Sequence, residues 1–420
     1  MKEFAEIIQR IKRQGGRFAT FTVDVIYGRR SDRKARLWAA FLFSLSLLFR
    51  AVVHLRRQLY RNRILRAQHL GCLVVVVGNL TVGGTGKTPV VEKLARVLSA
   101  NGRKVAILSR GYKSKRESVI KKWLRWLVHR PPAPPRVVSD GRTVFHDSEV
   151  AGDEPFMLAR NLPGVVVVTD KDRVKAGLYA IRKFGVDTLI LDDGFQYFQL
   201  QDHLQLLLID KTNPFGNGRL LPRGILREPV AQMRRASYVF LTKSESEPGE
   251  GLLEVLHKYR PESEWIECTH RPKYLQPVFD GDRLPLDWLR GKRVGALSGI
   301  ATPESFEGFL RELGAVEIVP FRFLDHHRFT TLELREITGR IRREGLDVLV
   351  TTEKDAVRIR PGFEPGIPLL FLRVEIDLLS GADSFEEAVR RICFPRQAGD
   401  AGRWVSGLTR PPFPVDSPPG

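Results

Sequence analysis

Short apolar runs recur through the middle of the chain, separated by amphipathic or polar stretches. They lie at 73–77, 104–109, 165–170, 187–192, 204–210 and 237–243. Continuous apolar runs of this length are typical of parallel strands that are buried on both faces. An amphipathic stretch at 171–184 predicts a helix between two of these strands. The alternation predicts an α/β fold with a doubly wound, mainly parallel sheet.

A second, smaller α/β pattern follows a polar, glycine-containing stretch at 244–251. It consists of apolar runs at 292–300, 347–357 and 368–376 and a helical pattern at 303–313. We therefore divide the chain into four parts. These are an N-terminal membrane-interacting region (1–68), a main domain (69–245, with an insertion at about 113–136), a smaller α/β domain (246–394) and a Pro- and Gly-rich tail predicted to be disordered (395–420).

The N-terminal region carries one long apolar segment, which runs from Leu37 to Phe49 and is interrupted by Arg50. Basic residues crowd both of its ends. A membrane-spanning helix needs about 20 apolar residues, and this segment is shorter. The pattern favours a helix that lies at the interface of an anionic membrane. A tilted single span and a buried helix of a soluble protein are the alternatives.

Composition adds a strong basic excess to this picture. The chain of 420 residues holds 68 Lys and Arg against 48 Asp and Glu, for a net charge of +20. Such an excess favours anionic partners, which include nucleic acid, anionic lipid and phosphorylated substrates, although a solvated basic surface gives the same total. The insertion, with Trp123 and Trp126 among basic residues, suits lipid headgroups; single-stranded nucleic acid and a plain surface helix are the alternatives.

The three cysteines, Cys72, Cys268 and Cys393, are far apart and form no C-x-x-C pair. This predicts a reducing compartment, with neither a disulfide framework nor a thiolate metal site. The first residues are polar and charged, and do not resemble a cleavable signal peptide.

The most specific chemical signal is a strand, a glycine-rich turn and a helix at 72–98. Glycines let backbone N–H groups surround an anion, and the helix N-terminus adds positive potential. Lys87 reaches the outer phosphates and the Thr88 hydroxyl is offered to Mg²⁺. The usual first glycine is replaced by a threonine, yet the context indicates a P-loop. The turn itself consists of Thr81, Val82, Gly83, Gly84, Thr85 and Gly86.

Two acidic pairs border predicted elements. Asp192 and Asp193 end an apolar strand, where P-loop proteins place an acid that binds Mg²⁺. Asp153 and Glu154 precede a helical pattern, where they also fit an N-terminal cap. Further along, Asp325, His326 and His327 are adjacent, and one histidine tuned by a carboxylate is enough for general-base chemistry.

Seven segments occur in an order that resembles the tetraacyldisaccharide 4′-kinases, the lipid A 4′-kinase family. They are VGNLTVGGTGKTP, LSRGY, GDEP, DDGFQ, NPFGNGRLLPRGILREP, DHHRF and TTEKDAV, and the likeness runs from about Val75 to Val374. A P-loop without the first glycine is normal in that family.

The resemblance implies an ATP- and Mg²⁺-dependent lipid kinase that phosphorylates the 4′-hydroxyl of a tetraacylated glucosamine disaccharide 1-phosphate. It also implies a peripheral protein on the cytoplasmic face of the bacterial inner membrane, with the anionic membrane surface as a partner and no nucleic acid expected. By this resemblance Asp153 and His326 activate the hydroxyl, and Arg227 and Glu228 lie near the nucleotide. The loop 81–88 binds the phosphates, and the metal is held by Thr88, Asp192, Asp193 and Glu154.

One position departs from the family pattern, because Tyr197 stands where relatives commonly have histidine after D-D-G-F-Q. Two other functions remain alternatives. The first is a P-loop NTPase that acts as a switch or delivery factor, and the second is a basic nucleic-acid-binding protein, for which the chain carries no recognised fold motif.

Overall fold

A computed structural model describes residues 18, 20–111, 133–201, 203–244, 249–259 and 265–393. The centre of the molecule is one sheet of twelve strands in the order β10-β9-β11-β12-β8-β7-β6-β1-β5-β2-β4-β3. Neighbouring strands are parallel except for the pairs β12/β8 and β3/β4. The predicted α/β, mainly parallel fold is therefore confirmed. The insertion residues 113–132 and the tail beyond 393 lie outside the described part of the chain.

The strands are β1 (Leu73–Asn79), β2 (Val105–Ser109), β3 (Arg136–Asp140), β4 (Val166–Thr169), β5 (Thr188–Asp192), β6 (His203–Asp210), β7 (Tyr238–Thr242), β8 (Trp265–Pro277), β9 (Arg293–Ser298), β10 (Glu317–Arg322), β11 (Val348–Thr352) and β12 (Leu369–Ser380). Every apolar run from which we predicted a strand forms one of these strands, because an apolar run of this length is buried by helices on both faces. The strands β3, β8 and β10 have no such run, and the pattern did not predict them.

The described helices are α1 (Arg33–Arg61), α2 (Lys87–Ala100), α3 (Ser148–Ala151), α4 (Asp153–Asn161), α5 (Arg173–Phe184), α6 (Glu250–Tyr259), α7 (Pro303–Glu312), α8 (Thr331–Glu344), α9 (Glu353–Ala356) and α10 (Ala382–Cys393). The caps agree with the local sequence. Thr330 and Glu333 form a reciprocal capping box at the start of α8, and Gly345 ends that helix in a left-handed conformation.

The two halves of the molecule are joined by a long antiparallel ribbon of β8 and β12. The first half of β8 pairs with β7, and the start of β12 pairs with β11, so the sheet continues without a break. Side chains of α10, Phe385 and Val389, pack into the core of the first half. The last described helix thus returns to the core of the first half.

The helix α1 lies against the first half along one face only. Leu42 and Ser46 are buried, and Phe49 packs against the core beside β7. The Ser46 hydroxyl donates to the backbone carbonyl of Leu220 at 2.9 Å. The helix is long and apolar enough to cross a membrane, with a mean hydropathy of 1.7 over its most apolar window.

Candidate active site

The phosphate loop follows β1 and is supported by the segment 213–228. Val82 donates its backbone N–H to Ile225 at 2.8 Å, and Thr81 forms an antiparallel bridge with Leu226. Gly83 and Gly86 have positive φ angles of 121° and 73°, whereas Thr81 does not. A glycine is therefore required at the two later positions and not at Thr81, since paired extended backbone accepts any residue. This explains the substituted first position.

Lys87 begins α2 and reaches back across the loop. Its Nζ lies 3.3 Å from Asn79 Oδ1 and 3.6 Å from Asp193 Oδ1. Asp193 also accepts two hydrogen bonds from Arg227 Nη1, at 2.8 and 2.9 Å. Burial opposes ionisation of Asp193, but the charges of Lys87 and Arg227 outweigh it and lower its pKa. Two cations suited to phosphate oxygens thus converge on one carboxylate beside the loop.

Asp192 has the opposite environment, although it is the adjacent residue. Its side chain is 3% exposed, and it makes no hydrogen bond or ion pair within the described residues. Burial, followed by repulsion from Glu154 and Asp193, raises the pKa of Asp192 to about 7. An uncompensated buried carboxylate is stabilised by a cation.

This environment fits Mg²⁺, which takes hard oxygen ligands and keeps phosphate oxygens and waters in its shell. The side chains of Thr88, Asp192 and Glu154 carry such oxygens, and Asp193 is already paired with two cations. Within the described ranges, no group of three or more His, Cys, Asp or Glu side chains is arranged to hold a metal unaided. The arrangement therefore suits a metal that is bound together with nucleotide phosphates.

Asp153 begins α4 and meets residues from the second half of the molecule. His326 Nδ1 lies 3.3 Å from Asp153 Oδ2. Arg358 Nε donates to the same oxygen at 2.9 Å, and Arg328 Nη2 donates to Oδ1 at 3.1 Å. Burial opposes ionisation of Asp153, but the hydrogen bond with His326 and the charge of Arg358 lower its pKa below the ordinary value. Asp153 is therefore an ionised, firmly oriented carboxylate.

The neighbouring histidine points elsewhere, as expected for adjacent residues. His327 Nε2 lies 3.1 Å from both carboxylate oxygens of Glu333 on α8. His326 itself has a left-handed backbone, with φ of 64°, which turns its ring toward Asp153. The structure thus assigns these two histidines to different contacts.

Glu228 is 2% exposed and accepts a hydrogen bond from Arg235 at 2.5 Å. Burial raises the pKa of Glu228, and Arg235 partly opposes this. In this structure it supports the segment behind the loop, and its contact with nucleotide stays a prediction. Glu154 lies 3.6 Å from Lys354 Nζ, and Lys354 also lies 3.7 Å from Asp325.

Three residues of the site escaped the sequence reasoning, namely Arg328, Lys354 and Arg358. All lie in segments that had been noted, or directly after one, but arginine and lysine are common in so basic a chain. A buried ion cluster was missed as well. Arg373 on β12 pairs with Glu92 on α2 and, at 2.6 Å, with Glu353 at the start of α9. It ties the helix that follows the phosphate loop to the second half.

A phosphate loop that opens a helix, a strand-end carboxylate suited to a divalent cation and an adjoining Asp–His pair define a P-loop phosphotransferase. The sequence model of the family described as "Tetraacyldisaccharide-1-P 4'-kinase" matches residues 38–393. The chain belongs to the tetraacyldisaccharide 4′-kinase family, and it is an ATP- and Mg²⁺-dependent kinase.

Individual relatives agree with this assignment. The tetraacyldisaccharide 4′-kinase of Anaeromyxobacter dehalogenans (strain 2CP-C) is 41% identical over 345 residues, covering 81% of this chain and 87% of its own length. That of Syntrophus aciditrophicus (strain SB) is 38% identical over 376 residues, covering 86% and 94%. A crystal structure of the "apo" form of LpxK from Aquifex aeolicus in complex with ATP is similar, with a TM-score of 0.66 and 31% identity. The match covers 85% of this chain and 100% of that one.

Proposed function

We propose that this chain transfers the γ-phosphoryl group of ATP to the 4′-hydroxyl of a tetraacylated glucosamine disaccharide 1-phosphate, and that the Asp153–His326 pair receives the hydroxyl proton. The observation that carries the proposal is the 3.3 Å contact between these two side chains, which are far apart in sequence. This contact supports an acid–base role for the pair, which a sugar hydroxyl needs because it is a poor nucleophile. Glu154, the residue after Asp153, acts electrostatically on Asp192 at the end of β5.

In the proposed step, the 4′-oxygen forms a bond to the γ-phosphorus and the bond to the bridging oxygen of the β-phosphate breaks. ADP leaves, and the proton of the hydroxyl passes to the Asp–His pair. Lys87 and Arg227 leave Asp193 and bind phosphate oxygens, and their positive charges neutralise the negative charge of the phosphates. Bound Mg²⁺, held by Thr88, Asp192 and Glu154, would supply further charge neutralisation at the phosphates.

Within the pair, His326 takes up the proton. Asp153 accepts hydrogen bonds from Arg328 and Arg358, and such a carboxylate is a weak base. Asp153 therefore orients the imidazole of His326, and the imidazole receives the proton.

The test compares His326→Ala with His327→Ala, a neighbouring histidine that contacts Glu333 and not Asp153. Each protein is incubated with ATP, Mg²⁺ and the disaccharide 1-phosphate lipid, and the bisphosphate product is quantified. We expect the His326 variant to lose about 100-fold or more in kcat, with the KM for ATP nearly unchanged. The His327 variant retains wild-type turnover.

Two results would contradict the proposal. If the wild-type protein binds ATP but forms no bisphosphate, the lipid kinase function is wrong. If His326→Ala instead abolishes ATP binding, the histidine supports the structure of the nucleotide site and does not receive a proton.

We further propose that α1 docks on the cytoplasmic face of the inner membrane. A second stripe of this helix is apolar and exposed, and it includes Leu37, Leu48, Val52 and Leu55, which are 57–74% exposed. Since the opposite face packs on the protein, the helix meets a membrane while lying along the molecule, as an interfacial helix does. Basic residues at both ends are placed to meet anionic headgroups.

Liposome flotation tests this proposal. Leu37→Ser combined with Leu48→Ser should release the protein from vesicles that contain anionic lipid. The control is Val316→Ser, which removes an exposed apolar side chain from the second half of the molecule. Equal flotation of all three proteins would eliminate α1 as the anchor.

A further inference from the structure

Lys354, the second residue of α9, carries an ammonium group that meets two carboxylates only at long range. Its Nζ lies 3.6 Å from Glu154 Oε1 and 3.7 Å from Asp325 Oδ1. Both distances exceed that of a hydrogen bond, and no described residue accepts a hydrogen bond from this group. The side chain is partly exposed. The three donors of the ammonium are therefore available to a further ligand.

The backbone that carries Lys354 is held on both sides by ion pairs. Glu353, the residue before it, accepts a hydrogen bond from Arg373 Nη1 at 2.6 Å. Asp355, the residue after it, pairs with Arg358, and both of these side chains are fully buried. The ammonium of Lys354 is therefore presented from a fixed part of the second half of the molecule.

One of the two carboxylates near Lys354 belongs to the nucleotide side of the site. Glu154 acts electrostatically on Asp192, the buried carboxylate at the end of β5. It is also one of the side chains that we propose as ligands of Mg²⁺. Binding of the metal would engage Glu154 and so remove one of the two charges that hold Lys354.

The other carboxylate lies beside the proposed proton acceptor. Asp325 Oδ2 is 3.8 Å from His326 Nε2, whereas His326 Nδ1 faces Asp153 at 3.3 Å. The imidazole nitrogen that does not face Asp153 is therefore on the side of Asp325 and Lys354. The ammonium thus has one carboxylate of the metal site and one carboxylate beside the proton acceptor as its neighbours.

A transferring phosphoryl group must pass between these two parts of the site, because it moves from a metal-bound nucleotide to the hydroxyl that loses its proton. Its negative oxygens need positive charge around them during the transfer. Lys87 and Arg227 offer such charge from the first half, next to the phosphate loop. Lys354 offers it from the second half, and an ammonium is a compact charge suited to phosphate oxygens.

We propose that Lys354 is a further catalytic residue, whose ammonium leaves Glu154 and Asp325 and binds oxygens of the γ-phosphoryl group. This rests on the proposed kinase function. The charge of the phosphoryl group is then neutralised from both halves of the molecule, in the arrangement in which the halves meet at Asp153 and His326.

The test compares Lys354→Met and Lys354→Arg with Arg360→Met as the control. Arg360 lies just beyond the same helix, its side chain is 74% exposed, and it pairs with Glu149 at 3.6 Å. Calorimetry without lipid gives the affinities for Mg·ATP and Mg·ADP. Lys354→Met should weaken Mg·ATP binding by about 10- to 100-fold and leave Mg·ADP binding unchanged, because only ATP carries the γ-phosphate. Lys354→Arg keeps the charge and should retain most of the Mg·ATP affinity, and the control should match wild type for both nucleotides.

Turnover with the disaccharide 1-phosphate lipid provides a second measurement. The kcat of Lys354→Met should fall by about 100-fold or more, with the KM for the lipid nearly unchanged. Its unfolding temperature should match that of wild type, because Glu154 and Asp325 are partly exposed and water solvates them when the ammonium is removed.

Unchanged Mg·ATP affinity in Lys354→Met would overturn the proposal. So would an equal loss of Mg·ATP and Mg·ADP affinity together with a lower unfolding temperature, because a structural role has that signature. The nucleotide affinities are measured without lipid, so they decide this contact separately from product formation. A wild-type protein that binds ATP and forms no bisphosphate would refute only the kinase reaction.

Discussion

Asp192→Asn should make the nucleotide-free protein more stable at pH 8, although it removes a predicted metal ligand. The substitution keeps the size of the side chain and removes only its charge. The carboxylate is 3% exposed and lacks a hydrogen bond or ion pair within the described residues. Repulsion from Glu154 and Asp193 outweighs the attraction of Lys87 and Arg173. The charge therefore destabilises the folded protein in the absence of a metal.

The magnitude follows from the pKa of Asp192, which rises from 3.8 to about 7 on folding. Between these values the folded protein binds more protons than the unfolded chain, so stability falls as the pH rises, and the full penalty is present above pH 7. One pKa unit corresponds to about 1.4 kcal/mol, which sets an upper limit of about 4 kcal/mol. The asparagine amide also loses its hydration, which offsets part of the gain, and we expect about 1–3 kcal/mol.

Urea denaturation with EDTA present, at pH 8, 6 and 4, provides the measurement. The variant should exceed wild type most at pH 8, and the difference should vanish near pH 4, where both side chains are neutral. Asp193→Asn is the matched control with the opposite sign, because Lys87 and Arg227 lower the pKa of Asp193. That variant should be less stable than wild type at pH 8. An Asp192→Asn protein that is no more stable than wild type at pH 8 would refute the reasoning.

Three further substitutions test other parts of the structure by denaturation. Gly86→Ala should cost about 1–2 kcal/mol or more, since Gly86 has a φ of 73° and an added Cβ would lie 2.7 Å from the imidazole of His270. Gly84→Ala meets no atom within 4 Å and should be nearly neutral. Arg373→Met should cost about 3–5 kcal/mol at pH 8, because it removes the cation that pairs with Glu353 and leaves Glu92 with the half-exposed Arg96, and the loss should shrink as the pH falls. Thr330→Ala should cost about 1 kcal/mol by removing the capping box of α8, and Thr331→Ala, beside it, should not. A neutral Gly86, Arg373 or Thr330 variant would contradict the corresponding contact.

The parts of the fold that could be predicted are those with a pattern in neighbouring residues of the sequence. The apolar runs predicted the parallel strands of both halves, and the order of strand, loop and helix predicted the phosphate site. The strand β8 was missed because its sequence, WIECTHRPKYLQP, has no apolar run. It forms an antiparallel ribbon with many half-exposed positions, so its burial comes from long-range pairing and not from a local pattern.

The candidate site also has a part that local sequence predicts and a part that depends on long-range contacts. Lys87 and Thr88 followed from local order, whereas the meeting of Asp153 with His326 was implied only by family resemblance. The hydrophobic pattern of the sequence carries no information about this 3.3 Å contact, because the two residues come from different halves of the chain. Arg358 was missed although its side chain is fully buried between Asp153 and Asp355, since burial of an arginine depends on partners that the local sequence does not reveal.

The segment 213–228 connects α1 to the phosphate loop through consecutive contacts. Its Leu220 carbonyl accepts from Ser46 on α1, and its Leu226 pairs with Thr81. The next residue, Arg227, donates its backbone N–H to Leu80 and its side chain to Asp193. A threonine is suited to the first loop position because that position belongs to this pairing. The first loop position is therefore a threonine in a phosphate loop that the segment 213–228 connects to α1, the helix proposed to meet the membrane.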